Sequence, residues 1–172
     1  MQEPDRHIPE RFRSRAYLDV VDESSSDRLC LIRNAAMHNM YASAEKHYPH
    51  EACGLLLGKL TDAGWDVDEA REVSNLNMER SSDRYLLDPA AYQAVDRELR
   101  GTGREIIGIY HSHPDCPAKP SPTDLADAWD SFAYVIISTC NGRTADMQCW
   151  TLNAGGDKFQ AVSMQDLKTE TD

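Results

Sequence analysis

The sequence predicts a single α/β domain: a mixed central β-sheet flanked by helices. Three observations carry this. Short apolar runs bounded by glycine, proline or polar residues read as buried strands: Cys53-Gly-Leu-Leu-Leu-Gly58, Glu105 to His111, and Tyr134-Val-Ile-Ile-Ser138. Segments with helical spacing alternate with them. The length of 172 residues suits one domain with a proper core, and no internal repeat divides it.

Taken in order, residues 1–27 read as an N-terminal extension, partly flexible. Arg6, Arg11, Arg13 and Arg15 mix with acids, and the segment ends in Asp22-Glu-Ser-Ser-Ser-Asp27. Tyr17, Leu18, Val20 and Val21 offer one edge strand. Residues 28–165 form the domain. Leu29, Ile32, Ala36, Met37, Met40, Tyr41, Ala44 and Tyr48 recur at spacings of three and four, so a helix is expected over residues 28–48, capped by Asp27 and ended by Pro49. The run from Cys53 is a strand, and residues 65–73 are its antiparallel neighbour across the turn Thr61-Asp-Ala-Gly64. Residues 74–87 lack a period and read as a long loop. Asp88-Pro89 is a cap followed by a first-turn proline, opening a helix to about Arg100 that Gly101-Thr-Gly103 stops.

An isoleucine-rich strand follows from Glu105 to His111. A helix begins near Pro122 and carries Leu125, Ala128 and Trp129. Strands at residues 134–138, 147–152 and 159–162 complete the sheet, and 166–172 is a C-terminal tail.

The formal net charge is −11. Duplex affinity comes largely from Lys and Arg neutralising phosphates, so a nucleic-acid partner is not expected. The acidity suits solubility or a basic protein partner. No apolar run is long enough to span a bilayer, and the charged N-terminus lacks a signal-peptide core, so a soluble cytoplasmic protein is expected. Five cysteines, an odd count with no Cys-x-x-Cys, argue against a zinc ribbon or disulfide framework. Cys116 stands apart from the others because it lies in a loop between candidate ligands.

The chemistry concentrates in Gly108-Ile-Tyr-His-Ser-His-Pro-Asp-Cys-Pro-Ala-Lys-Pro-Ser-Pro-Thr-Asp124. His111 and His113, two apart on a strand, share a face. Two imidazoles and the Asp124 carboxylate make a full protein ligand set for a catalytic zinc with an open fourth position. Ser121-Pro-Thr-Asp124 also reads as a helix start, and the two roles are compatible because the cap aims the first turn at the histidines. A zinc hydrolase needs a general base, and Glu51 is the best placed, between the first helix and the strand at Cys53.

Glu51 with Cys53–Gly58, then His111-Ser-His113-Pro114, then Ser121 and Asp124, resembles the JAMM (MPN-plus, JAB domain) metalloprotease motif, complete in residue type and spacing. The resemblance covers about residues 28–165. The stretch from Tyr85 to Ile137 is most similar to the bacterial branch, which acts on ubiquitin-like and sulfur-carrier proteins. It implies an MPN-type fold with cytidine-deaminase-like layering and one Zn2+ per chain held by His111, His113 and Asp124. It implies Glu51 as general base and Ser121 as donor to the developing oxyanion. It also implies hydrolysis of the peptide or isopeptide bond after the C-terminal Gly-Gly of the partner, whether for cysteine release, precursor trimming or deconjugation. Within the loop at 74–87, Asn75, Asn77, Arg84 and Tyr85 are the candidate substrate contacts. Ser112 points away from the ligands and reads as structural.

Two other classes compete. Some relatives are non-catalytic scaffolds or binding modules, but those have lost the ligands that this chain keeps. A zinc deaminase needs His-x-Glu and Pro-Cys-x-x-Cys, and neither occurs. A second structural zinc is not expected, since no histidine follows His113. Oligomeric state is not encoded in any of these features.

Overall fold

The computed structural model describes residues 8–167. Residues 1–7 and most of the expected C-terminal tail lie outside them. Among the described residues seven strands form in chain order: β1 (Leu29–Arg33), β2 (Cys53–Thr61), β3 (Gly64–Val73), β4 (Glu105–Pro114), β5 (Ala133–Cys140), β6 (Arg143–Leu152) and β7 (Phe159–Leu167). Their spatial order is β1-β3-β2-β4-β5-β6-β7, and β7 pairs back onto β1. The sheet is mixed, with β1–β3, β1–β7 and β4–β5 parallel and the other pairs antiparallel.

The mixed sheet with helices agrees with expectation, but the sheet closes into a barrel rather than lying as an open layer. Closure is the work of β1, in a segment the periodicity assigns to a helix. Leu29 and Ile32 fit a helical spacing, yet Cys30 and Ile32 are fully buried with exposed or half-buried neighbours, the period of a strand. Short parallel pairing to β3 and β7 outweighs local propensity here. The helix α2 therefore starts later, at Asn34–His47, with Arg33 rather than Asp27 at its N-cap.

Ala36, Met40 and Ala44 of α2 pack with Cys30, Leu56, Val67, Tyr110, Ile137 and Cys149, drawn from six strands. One helix reaches that many strands only because the sheet curves around it. On the convex side, α3 (Pro89–Leu99) sets Val95 and Leu99 against Leu55, Leu57 and Ile106. Successive leucines of β2 thus point into different cores, which explains why its run is apolar at every position. Asp88 caps α3 as expected, its side chain accepting from Ala90 N at 2.9 Å.

The helix expected after Pro122 is a single turn, α4 (Pro122–Ala126). Ala128 and Trp129 lie beyond it, where Asp127 and the left-handed Ser131 (φ 67°) turn the chain toward β5. Residues 10–18 are also helical rather than an edge strand: a 3-10 turn at Glu10–Arg13 and α1 at Arg15–Leu18. Only Val21 pairs, in an isolated parallel bridge with Phe159. Phe12 and Val20 are buried against the domain.

Candidate active site and metal centre

Strand β4 is hydrogen-bonded on both sides, with His111 opposite Cys53 of β2 and Ile136 of β5. That pairing fixes the two histidines, and their Nε2 atoms converge to 3.1 Å. Asp124 is delivered by the capping box at the start of α4. Ser121 N–H donates to Asp124 Oδ2 at 2.8 Å, and Asp124 N–H donates to Ser121 Oγ at 3.1 Å. The carboxylate then lies 3.3 Å from His111 Nε2 (Oδ1) and 3.6 Å from His113 Nε2 (Oδ2). The four-residue spacing read as a helix cap thus also places a carboxylate beside both imidazoles.

Glu51 also approaches the histidines, its Oε1 3.8 Å from His113 Nε2. Three contacts hold its backbone. Its N–H donates to Ser81 O at 2.5 Å. Asn75 Nδ2 donates to its carbonyl at 3.2 Å. The adjacent Ala52 exchanges two bonds with Ser112: Ala52 N–H to Ser112 Oγ at 2.8 Å and Ser112 N–H to Ala52 O at 3.0 Å. Ser112 thus does point away from the histidines, and it ties the strand that carries them to the segment that carries Glu51.

His113 Nδ1 lies 2.9 Å from Pro117 O. A carbonyl can only accept, so the proton sits on Nδ1 and the lone pair on Nε2 faces the centre. The His111 ring stacks on Tyr85, centroids 4.5 Å apart and planes at 24°. Burial pushes the Glu51 carboxyl up to about 7, against the pull of His111 and His113. Burial acts the same way on Asp124, but the two histidines outweigh it and hold that carboxyl well below its usual range. His113 is depressed by burial and raised more by Asp124 and Glu51, ending above the ordinary imidazole value. Two carboxyls in one site are thereby pushed apart, one toward a proton acceptor near neutrality and the other toward a fixed anion.

The donor set fits a zinc ion. Glu51, His111 and His113 offer atoms within 4.8 Å of one another, and Asp124 lies closer to the histidines than Glu51 does. Glu51 Oε2 is buried without a hydrogen-bond partner, as a base held ready for a water would be.

The four candidate substrate residues separate. Arg84 and Tyr85 line the cleft above the ligands. Asn75 and Asn77 hold the loop itself. Asn75 Nδ2 also donates to Arg84 O, its Oδ1 accepts from Asn77 N and Leu86 N, and Asn77 Oδ1 accepts from Arg80 N. The sequence reading missed Ser82, Asp83, Thr123 and Asp127 of the cleft lining, and with them Arg11, Phe12 and Tyr17, from the segment read as an extension. The one signal was Phe12, an aromatic between two arginines in a chain with only three phenylalanines. Between these walls the cleft narrows to a cavity of about 40 Å³. Cys116 lines it too, half-buried, its thiol pushed up by burial and accepting from Arg11 Nη2 at 3.1 Å.

Two histidines and two carboxylates brought together on a mixed, closed sheet fit the JAB class. The family model described as prokaryotic homologs of the JAB domain matches residues 33–153, and the chain belongs to that family. It is similar to the desampylase of Haloferax volcanii, 33% identical over 144 residues, 81% of this chain and 97% of that one. It is also similar to the CysO-cysteine peptidase of Mycobacterium tuberculosis, 33% identical over 135 residues, 78% and 90% of the two chains. Among solved structures, a protein from Desulfitobacterium hafniense matches with a TM-score of 0.69 and 26% identity, covering 81% of this chain and 93% of that one. Among the described residues no helix is long and apolar enough to cross a membrane.

Proposed function

We propose that this chain is a zinc-dependent metallopeptidase that hydrolyses the bond after the C-terminal Gly-Gly of a ubiquitin-like or sulfur-carrier protein. The observation that carries the reading is the convergence of His111, His113 and Asp124 on one point with the buried, partnerless oxygen of Glu51 beside it. The family and its peptidase-named relatives favour the same chemistry. His111, His113 and Asp124 would hold one zinc ion. When bound, zinc supplies a Lewis acid that polarises the scissile carbonyl and lowers the pKa of water.

The chain's own residues do the rest. Glu51 takes the proton from the attacking water and returns it to the leaving amine. The Ser121 hydroxyl accepts from Asp124 N–H, so its own hydrogen is free to donate to the oxyanion as it develops. Pro117 O keeps the His113 ring in one tautomer. Tyr85, stacked on His111, keeps water from that side of the ligand. A glycine tail is thin enough for the narrow cleft, and bulkier side chains are not.

The test is intact-mass analysis of a zinc-loaded sample incubated with the host's own Gly-Gly carrier bearing a C-terminal extension. Mass loss ending after the last glycine, absent with Glu51→Gln, supports the reading. An intact carrier with one zinc per chain contradicts it.

A further inference from the structure

The two histidines of the candidate centre are held by different means. His113 has its outward nitrogen tied to the Pro117 carbonyl. His111 has no such tie: its Nδ1 is buried and, among the described residues, has no hydrogen-bond partner. A ligand imidazole ordinarily donates that N–H to a carboxylate, a carbonyl or water, and the bond orients the ring and raises its basicity. Pairing with Cys53 and Ile136 fixes the His111 backbone, but the imidazole torsion is broad and is not set by the strand.

What lies against the ring is Tyr85. The two rings stack with centroids 4.5 Å apart and planes at 24°, within the range that aromatic pairs favour. The His113 ring also touches His111, edge-on at 4.9 Å, but it is itself part of the centre. Tyr85 is in turn clamped from both sides. The Asn75 side chain accepts from Leu86 N at 3.0 Å and donates to Arg84 O at 3.0 Å, so it grips the chain before and after the ring. The same Nδ2 donates to Glu51 O at 3.2 Å. One amide thus fastens both the aromatic that backs His111 and the segment that bears Glu51. An imidazole that gives its lone pair to a cation gains positive charge, and an aromatic face stabilises positive charge. The stack is therefore stronger when the centre is loaded.

We propose that Tyr85 is a positioning residue for the metal centre. Its ring does for His111 what the Pro117 carbonyl does for His113, and it couples the loop at 74–87 to metal occupancy. This rests on the zinc centre of the proposed function and adds a regulation to it. By linkage, zinc steadies the loop by the same factor by which a steady loop tightens zinc.

The experiment uses the full chain without any carrier, as wild type, Tyr85→Phe and Tyr85→Leu. Zinc affinity is measured by competition with a chromophoric chelator, and ligand geometry by the visible spectrum of the cobalt(II) form. Loop order is measured by limited trypsin digestion at Arg80 and Arg84, the two basic residues of the loop, with and without zinc. Tyr85→Phe keeps the ring and should match wild type. Tyr85→Leu should bind zinc about tenfold more weakly, the low end of what losing a ligand's outer partner costs. Its cobalt spectrum should shift, and zinc should no longer slow cleavage of the loop as it does in wild type.

Wild-type zinc affinity and an unchanged cobalt spectrum in Tyr85→Leu would overturn the proposal and leave the zinc centre standing. A lowered Tm with both readouts unmoved would do the same, making the ring a structural filler. An equal loss in Tyr85→Phe would also overturn it, because the hydroxyl rather than the stack would then matter. A wild type that takes up no zinc would sink the proposed function and this inference together. Zinc readouts as expected, with no cleavage of any carrier, would contradict the peptidase reading and leave the role of Tyr85 supported.

Discussion

Ser112→Ala tests whether the site depends on the tie between its two halves. Ser112 is fully buried, and its hydroxyl oxygen is the acceptor for the N–H of Ala52, a residue that is itself 3% exposed. Removing that oxygen strands a buried amide donor, at a cost of about 1–3 kcal/mol. For a chain of this length that corresponds to a fall in Tm of about 3–10 °C. The proposed ligands His111, His113 and Asp124 are untouched, so zinc per chain should stay at the wild-type value. Glu51 keeps its contacts through Ser81 and Asn75, and Ser112 N–H still donates to Ala52 O, but one of the two bonds that set its distance from β4 is lost. A displacement well under 1 Å at a general base is expected to lower kcat about tenfold with KM nearly constant. The assays are a thermal melt, metal analysis by mass spectrometry, and carrier cleavage at saturating substrate. A lowered Tm with unchanged kcat would refute the positioning argument. Loss of zinc would show that Ser112 shapes the histidines rather than Glu51.

Four further outcomes are expected. Glu51→Gln should keep zinc and lose at least about 100-fold in turnover, checked by metal analysis beside intact-mass kinetics. Asp124→Ala should lose both zinc and activity, and also its half of the capping box, costing about 0.5–2 kcal/mol of stability; full zinc occupancy in this variant would refute the ligand assignment. Asn75→Ala removes four hydrogen bonds that hold residues 75–86 and Glu51 together, so limited proteolysis should cut that loop faster and KM should rise. Gly108→Ala would set a methyl 2.2 Å from Ala133 O, between β4 and β5; it should destabilise by about 3 kcal/mol or more and yield mostly insoluble protein on expression.

Most of the candidate site was legible in the sequence because those parts of it are encoded locally. Two histidines two apart on a strand share a face whatever the rest of the sheet does, and Ser-Pro-Thr-Asp folds its own capping box. Glu51 is different: nothing near it distinguishes it from other loop acids, and only the family pattern singles it out. What sequence reading missed comes from pairing between distant segments. Leu29–Arg33 is a strand because β3 and β7 leave a five-residue gap that it fills, and no local period announces that. Phe12 reads as part of a charged extension because its burial depends on Tyr17 and on a site a hundred residues away. Ala128 and Trp129 keep a helical spacing with Leu125, but the helix stops at Ala126 and Trp129 stays half-exposed beside Tyr92 and Phe132.

The closed sheet has a seam, and its position matters. β1 joins β3 and β7 through short parallel ladders, four and five residue pairs long, whereas β2 and β3 share nine. Around the ring, β4 stands three strands from β1 in one direction and three from β7 in the other. The join between β1 and β7 is therefore as far as the ring allows from the strand that carries His111 and His113. Transient unzipping at β1, visible as faster amide exchange there than in β4, would leave the arrangement of His111 and His113 in place. It would also loosen the chain just after the segment that bears Arg11 and Phe12, so the wall of the cleft could shift while its floor stayed fixed.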